Sequence, residues 1–134
     1  MPDITRDDAA LRRLLFGRPH IAMVGASDNP ERDSNRVFAY LQEHGYDVTP
    51  VNPTVATVRG VPAAPSLKAA SSVGRIDIVD VFRAPAQVGP VVEEAIDAKA
   101  KAIWFQLGVV NPEAIQRALD AGLQVVVDRC IKVE

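Results

Sequence analysis

The sequence predicts a doubly wound α/β fold, a parallel sheet with helices on both faces in one Rossmann-like domain. Three observations lead to it. The apolar runs at 21–24, 76–82 and 102–105 are continuous rather than alternating, as in strands covered on both sides. Amphipathic helical stretches separate these runs along the whole chain. Uncommon residue groups fall where the strands should end: Gly25-Ala26-Ser27, Asn52-Pro53, Phe82-Arg83-Ala84-Pro85, Gln106-Leu107-Gly108 and Asp128-Arg129-Cys130. In open α/β sheets that carboxyl rim is where ligands bind.

Each element has its own signal. Leu11, Leu14 and Leu15 give a first helix its apolar stripe, with Thr5 and Asp8 as capping candidates. Residues 21–24 form the first buried strand. Val37, Phe38, Tyr40 and Leu41 carry a helix over 34–43, which His44-Gly45 should stop. Residues 47–51 form a second strand, ended by Asn52-Pro53. The stretch 54–75 carries weaker signals, a short strand near 58–61 and a helical turn around 66–70. Residues 76–82 make a strongly β-branched strand, and Pro85 suits the first turn of a helix running to about 98. After the strand at 102–105, Asn111-Pro112-Glu113 is a helix start with a capping side chain, a first-position proline and an acidic first turn. That helix ends at Gly122, and 123–127 form the last strand.

With 134 residues the chain reads as a single domain, 1–134. Fifteen basic against 17 acidic residues give no overall electrostatic footprint for nucleic acid. A single cysteine, Cys130, excludes an internal disulfide and any cysteine pair for a metal. The N-terminal segment has no apolar core of a signal peptide and no apolar run reaches membrane-spanning length. A cytoplasmic protein with no membrane partner is the expectation.

Residues 20–29, His-Ile-Ala-Met-Val-Gly-Ala-Ser-Asp-Asn, bear most on function. A buried strand, a glycine turn and a helix N-terminus aim backbone N–H groups and the positive end of a helix dipole at one point, which suits a phosphate or pyrophosphate. Gly25 either admits the close approach of that phosphate or simply permits the turn. Only the first glycine of the dinucleotide fingerprint is present, so the loop does not specify NAD. Asn52 points the same way: NAD-binding Rossmann proteins usually place an acidic residue near the end of the second strand to hold ribose hydroxyls. Its plainer role is that of a turn-forming Asn-Pro.

The rim motifs together resemble the small, stand-alone coenzyme A-binding proteins of bacteria and archaea, whose fold is similar to the coenzyme A-binding domain of the succinyl-CoA synthetase α subunit. The resemblance covers about 14–134 and rests on Val24-Gly25-Ala26-Ser27, Val51-Asn52-Pro53, the run from Asp77 through Asp80 to Arg83, Trp104-Phe105-Gln106-Leu107-Gly108 and Asp128-Arg129-Cys130. It implies that Gly25, Ala26, Ser27, Asp28 and Asn29 hold the phosphates of coenzyme A. It also implies that Asn52, Pro53, Arg83, Pro85, Gln106, Leu107 and Gly108 line the rest of the cleft. Two positions depart from the pattern: Thr54 and Val55 stand where relatives often carry lysine, and Ala64 where many have an aromatic. The synthetase's phosphohistidine belongs to a second domain that has no counterpart here.

Arg32, Arg36 and Arg83 are the candidate cations for the phosphates, Arg83 foremost; each is otherwise a solvated surface charge. Cys130 reads first as a buried small apolar side chain, Trp104 as core, and His20 and His44 as boundary residues away from the rim. Asp77 and Asp80 flank a strand without a partner base, and a nucleophile with an adjacent base is missing. The expectation is a protein that binds coenzyme A or an acyl-CoA without catalysis of its own, with any protein partner unknown. The rival readings are a nicotinamide-dependent oxidoreductase fragment and a coenzyme A-sensing regulatory or scaffold partner of an acyl-CoA enzyme.

Overall fold

Five short, mostly apolar segments pair in parallel, their central residues covered on both faces. The computed structural model describes residues 3–16, 19–72, 74–106, 108–127 and 131. In chain order its elements are α1 (Asp8–Leu15), β1 (His20–Val24), α2 (Asp33–Glu43), β2 (Asp47–Val51), β3 (Thr57–Val58), β4 (Val61–Pro62), α3 (Leu67–Ser71), β5 (Ile78–Val81), a 3-10 turn (Pro85–Gln87), α4 (Val88–Asp97), β6 (Ala102–Phe105), α5 (Pro112–Asp120) and β7 (Gln124–Val127). The main sheet runs β2-β1-β5-β6-β7, all parallel, and β3 and β4 form a separate antiparallel pair. The doubly wound parallel fold read from the sequence is the fold observed.

The pleat divides the core in two. Ile21, Met23, Ile78, Trp104 and Val126 face α1 and α2, which contribute Leu11, Leu14, Val37, Phe38 and Leu41. Val24, Val79, Val81, Ile103, Phe105 and Val125 face the other way, onto Leu67 of α3, Val88, Val91 and Val92 of α4, and Ala114 and Ala118 of α5. Each fully buried side chain of this kind contributes about 1.5–3 kcal/mol, so the two layers supply most of the drive to fold.

Several local expectations are corrected. Asp7 caps α1, accepting from Ala10 N–H at 3.0 Å, whereas Thr5 Oγ1 accepts from Val127 N–H at 3.0 Å and ties the N-terminal segment to β7. Capping needs a side-chain oxygen beside an orphan N–H, and Thr5 is committed elsewhere. The expected strand near 58–61 is a tight hairpin, with Arg59 (φ 46°) and Gly60 (φ 83°) both left-handed at its turn. The strand expected over 76–82 pairs only from Ile78 to Val81, and Pro85 opens a 3-10 turn rather than α4 itself. Leu107 and the Asp128-Arg129-Cys130 motif lie outside the described residues.

Candidate ligand-binding site

The sheet order reverses between β1 and β5, where β2 lies to one side and β5, β6 and β7 to the other. Chain connections diverge there and leave a crevice at the carboxyl ends of the strands. Gly25 closes β1 at that point with φ +88°. Its N–H bonds Val51 carbonyl at 3.0 Å, and Phe82 N–H bonds Val24 carbonyl at 2.8 Å, so all three strand ends are stitched together. A methyl group at Gly25 would lie 2.0 Å from the Phe82 carbonyl oxygen and 2.9 Å from its carbon. The close approach that demands glycine is therefore to the neighbouring strand.

The loop after Gly25 is held from several directions. Asn52 Nδ2 donates to Ala26 carbonyl at 2.8 Å, and Asn35 Nδ2 donates to Ser27 carbonyl at 2.8 Å. Ser27 N–H reaches Ser34 Oγ at 3.1 Å, and Asn29 N–H reaches Ser27 Oγ at 3.1 Å. Asn35 is itself buried and accepts from Arg59 Nε at 2.8 Å, so the β3–β4 hairpin also supports the loop. Asn52 Oδ1 accepts from both the N–H and the hydroxyl of Thr54, at 2.9 and 2.8 Å. Both ends of the Asn52 amide are thus engaged by protein. The N–H groups of Ala26 and Asp28 meet no acceptor among the described residues.

Beside this loop lies a cleft of about 600 Å³ whose lining includes Gly25, Ser27, Arg32, Ser34, Arg83 and Gln106. Of the residues expected from sequence it brings together Gly25, Ser27, Arg32, Arg83 and Gln106. Ala26, Asp28, Asn29, Asn52, Pro53, Pro85 and Gly108 are not among its described lining residues. Arg32 occupies the N-cap of α2 without a side-chain capping bond. Neither Arg32 nor Arg83 forms an ion pair among the described residues, whereas Arg36 pairs with Asp33 at 3.4 Å. The cleft thus combines the N-terminal end of an eleven-residue helix with two guanidinium groups outside any described ion pair, a setting for an anion, although the carboxylates of Glu31 and of Asp33, the latter paired with Arg36, also line it.

One polar group escaped sequence reasoning. Asp80 does not flank its strand but sits inside it, fully buried between Met23 of β1 and Trp104 of β6. Gln106 Nε2 donates to Asp80 Oδ1. Burial pushes the Asp80 carboxyl up to about 7, against the opposing effect of the Gln106 bond. The available signal was an acid inside the apolar run Ile78-Val79-Asp80-Val81. Asp77, at the opposite end, accepts from His20 N–H at 2.9 Å. Among the described residues no three His, Cys, Asp or Glu side chains are grouped to hold a metal. No described helix is long and apolar enough to cross a membrane.

A family model described as a CoA binding domain matches residues 19–134. An uncharacterized protein of Bacillus subtilis, YneT, is 43% identical over 125 residues, covering 93% of this chain and 91% of that one. A hypothetical protein from Pyrococcus horikoshii has a solved structure with a TM-score of 0.88 and 44% identity, over 94% of this chain and 87% of that one. A Thermus thermophilus protein structure gives a TM-score of 0.89 at 36% identity, over 95% of each chain.

Proposed function

This chain belongs to the CoA binding domain family, and from that premise we propose that the cleft at the β1–β5 reversal binds coenzyme A or an acyl-CoA, without catalysis of its own. The observation that carries the reading is the meeting of Gly25, Ser27, Arg32, Arg83 and Gln106 in one cleft at the carboxyl rim. The pyrophosphate lies against the loop over 25–29, where the exposed, unbonded N–H of Asp28 and the first turn of α2 offer donors. Arg32 and Arg83 supply charge that no described carboxylate has taken up. This chain has the uncharged Thr54 and Val55 after Asn52-Pro53, so in this reading the charge comes from those two cations. Asn52 contributes indirectly, by fixing the Ala26 carbonyl.

A nicotinamide cofactor is disfavoured because the end of β2 carries an amide, already engaged, in place of an acid that would hold ribose hydroxyls. The test is a thermal-shift and calorimetric titration with coenzyme A, acetyl-CoA, NAD and NADP. Coenzyme A at ~100 times its dissociation constant is expected to add about 2.7 kcal/mol to stability, with NAD and NADP adding nothing measurable. NAD matching or exceeding coenzyme A would sink the assignment. Native mass spectrometry of the purified protein then identifies whether the free thiol or an acyl form travels with it. Incubation with acetyl-CoA or succinyl-CoA is expected to give no turnover above the buffer blank, and sustained turnover would refute the non-catalytic half of the reading.

A further inference from the structure

A buried carboxyl in the middle of a sheet costs stability, and an apolar residue of similar size would remove that cost. Asp80 makes the cost larger, because its Oδ2 has no hydrogen-bond partner among the described residues. Its only described partner is Gln106, which is 3% exposed and lines the cleft. The pair therefore links the interior of β5 to the ligand cavity. An ionised carboxylate can only accept, so it draws the Nε2 side of the Gln106 amide inward. A primary amide that donates on one side presents its carbonyl oxygen on the other. No hydrogen bond from a described residue reaches Gln106 Oε1.

We propose that Gln106 is a specificity-determining residue of the cleft, its side-chain carbonyl accepting an N–H from the amide-bearing arm of coenzyme A, and that Asp80 is the positioning residue that turns the amide. The inference rests on the reading of the cleft as a coenzyme A site. The arm, rather than the adenosine, is assigned by topology. With the pyrophosphate on the Gly25 loop, the adenosine half leaves toward β2, the side on which Rossmann folds hold the ribose. The other half must then run over β5 and β6, and β6 lies two strands, about 10 Å, from β1. Gln106 follows directly after Phe105, the last residue of β6, and so stands beneath that half.

The test compares dissociation constants for coenzyme A and for ADP, which carries adenine, ribose and pyrophosphate but no amide arm, by calorimetry at pH 8. Gln106→Leu is expected to weaken coenzyme A about tenfold and ADP less than twofold. The double variant Asp80→Leu/Gln106→Leu removes the buried carboxyl together with its partner, so it keeps the comparison open should the single variant not fold, and the same selective loss is expected. Asp80→Leu alone is expected to lower coenzyme A affinity at least threefold, and Asp80→Asn, whose carbonyl still accepts the amide, to restore most of it. Equal losses for both ligands, or none for coenzyme A, overturn the roles given to Gln106 and Asp80 while leaving the coenzyme A reading in place. A wild-type protein that binds neither compound overturns that reading and this inference together.

Discussion

A methyl group at position 25 would press 2.0 Å from the Phe82 carbonyl oxygen, and the backbone there already has φ +88°. Neither strain has a flexible side chain to relieve it, so Gly25→Ala is expected to destabilise the fold by at least about 3 kcal/mol, read as a shift in denaturant midpoint. A shift under ~1 kcal/mol would show that the strand ends part easily. From sequence Gly25 was legible as a turn with a close approach, but which backbone approaches it depends on the β1–β5 register. Asp80 was equally hidden, because an acid within an apolar run does not announce its partner 26 residues later. Its titration has a defined sign. The folded carboxyl sits near 7 and the unfolded one near 3.8, so between those values the native state keeps a proton that the unfolded chain has lost. Stability contributed by this group therefore falls as pH rises from about 4 to 7, by up to about 1.4 kcal/mol per pH unit, and is flat above. Asp80→Asn is expected to remove that slope in urea titrations at a series of pH values, and identical slopes in both proteins would disprove the shift.

Helix ends separate what the sequence shows from what it conceals. Asn111-Pro112-Glu113 was readable as the start of α5, and Asn111 Oδ1 does accept from Ala114 N–H at 3.1 Å. What could not be read is its second bond, from Nδ2 to the Pro85 carbonyl at 2.8 Å, which joins α5 to the turn leading into α4. Asn111→Ala therefore loses a cap and a cross-link, with an expected cost of about 1–2 kcal/mol in thermal or chemical denaturation. The N-terminus of α2 is the opposite case: Arg32 occupies a cap position that serine, threonine or aspartate would fill better. Arg32→Ser is expected to raise stability by about 0.5–1 kcal/mol while weakening coenzyme A, and a variant that gains stability without losing affinity would remove Arg32 from the site. The β3–β4 hairpin was poorly legible because two-residue strands are too short to show periodicity.

At the scale of the whole molecule, fold class was legible because strands buried on both faces are apolar along most of their length, and that constraint is written in consecutive residues. Strand order was not, since β2-β1-β5-β6-β7 is a matter of which neighbours meet in space. The site inherits that asymmetry: its loop was visible in 20–29, its Arg83 and Gln106 walls were inferred, and the Asp80 beneath them was missed. The loop itself is bonded to Asn35 and Ser34 of α2 and to Asn52 beyond β2. Its shape is therefore set by protein contacts, and an incoming ligand does not have to order it. Association then forfeits little chain entropy, so free and bound proteins should superpose closely across 25–29. Amide exchange in that segment should slow on binding only at the N–H groups the ligand itself covers, and the affinity of the cleft becomes a property of a ready-made mould, adjustable at its rim without retuning its base.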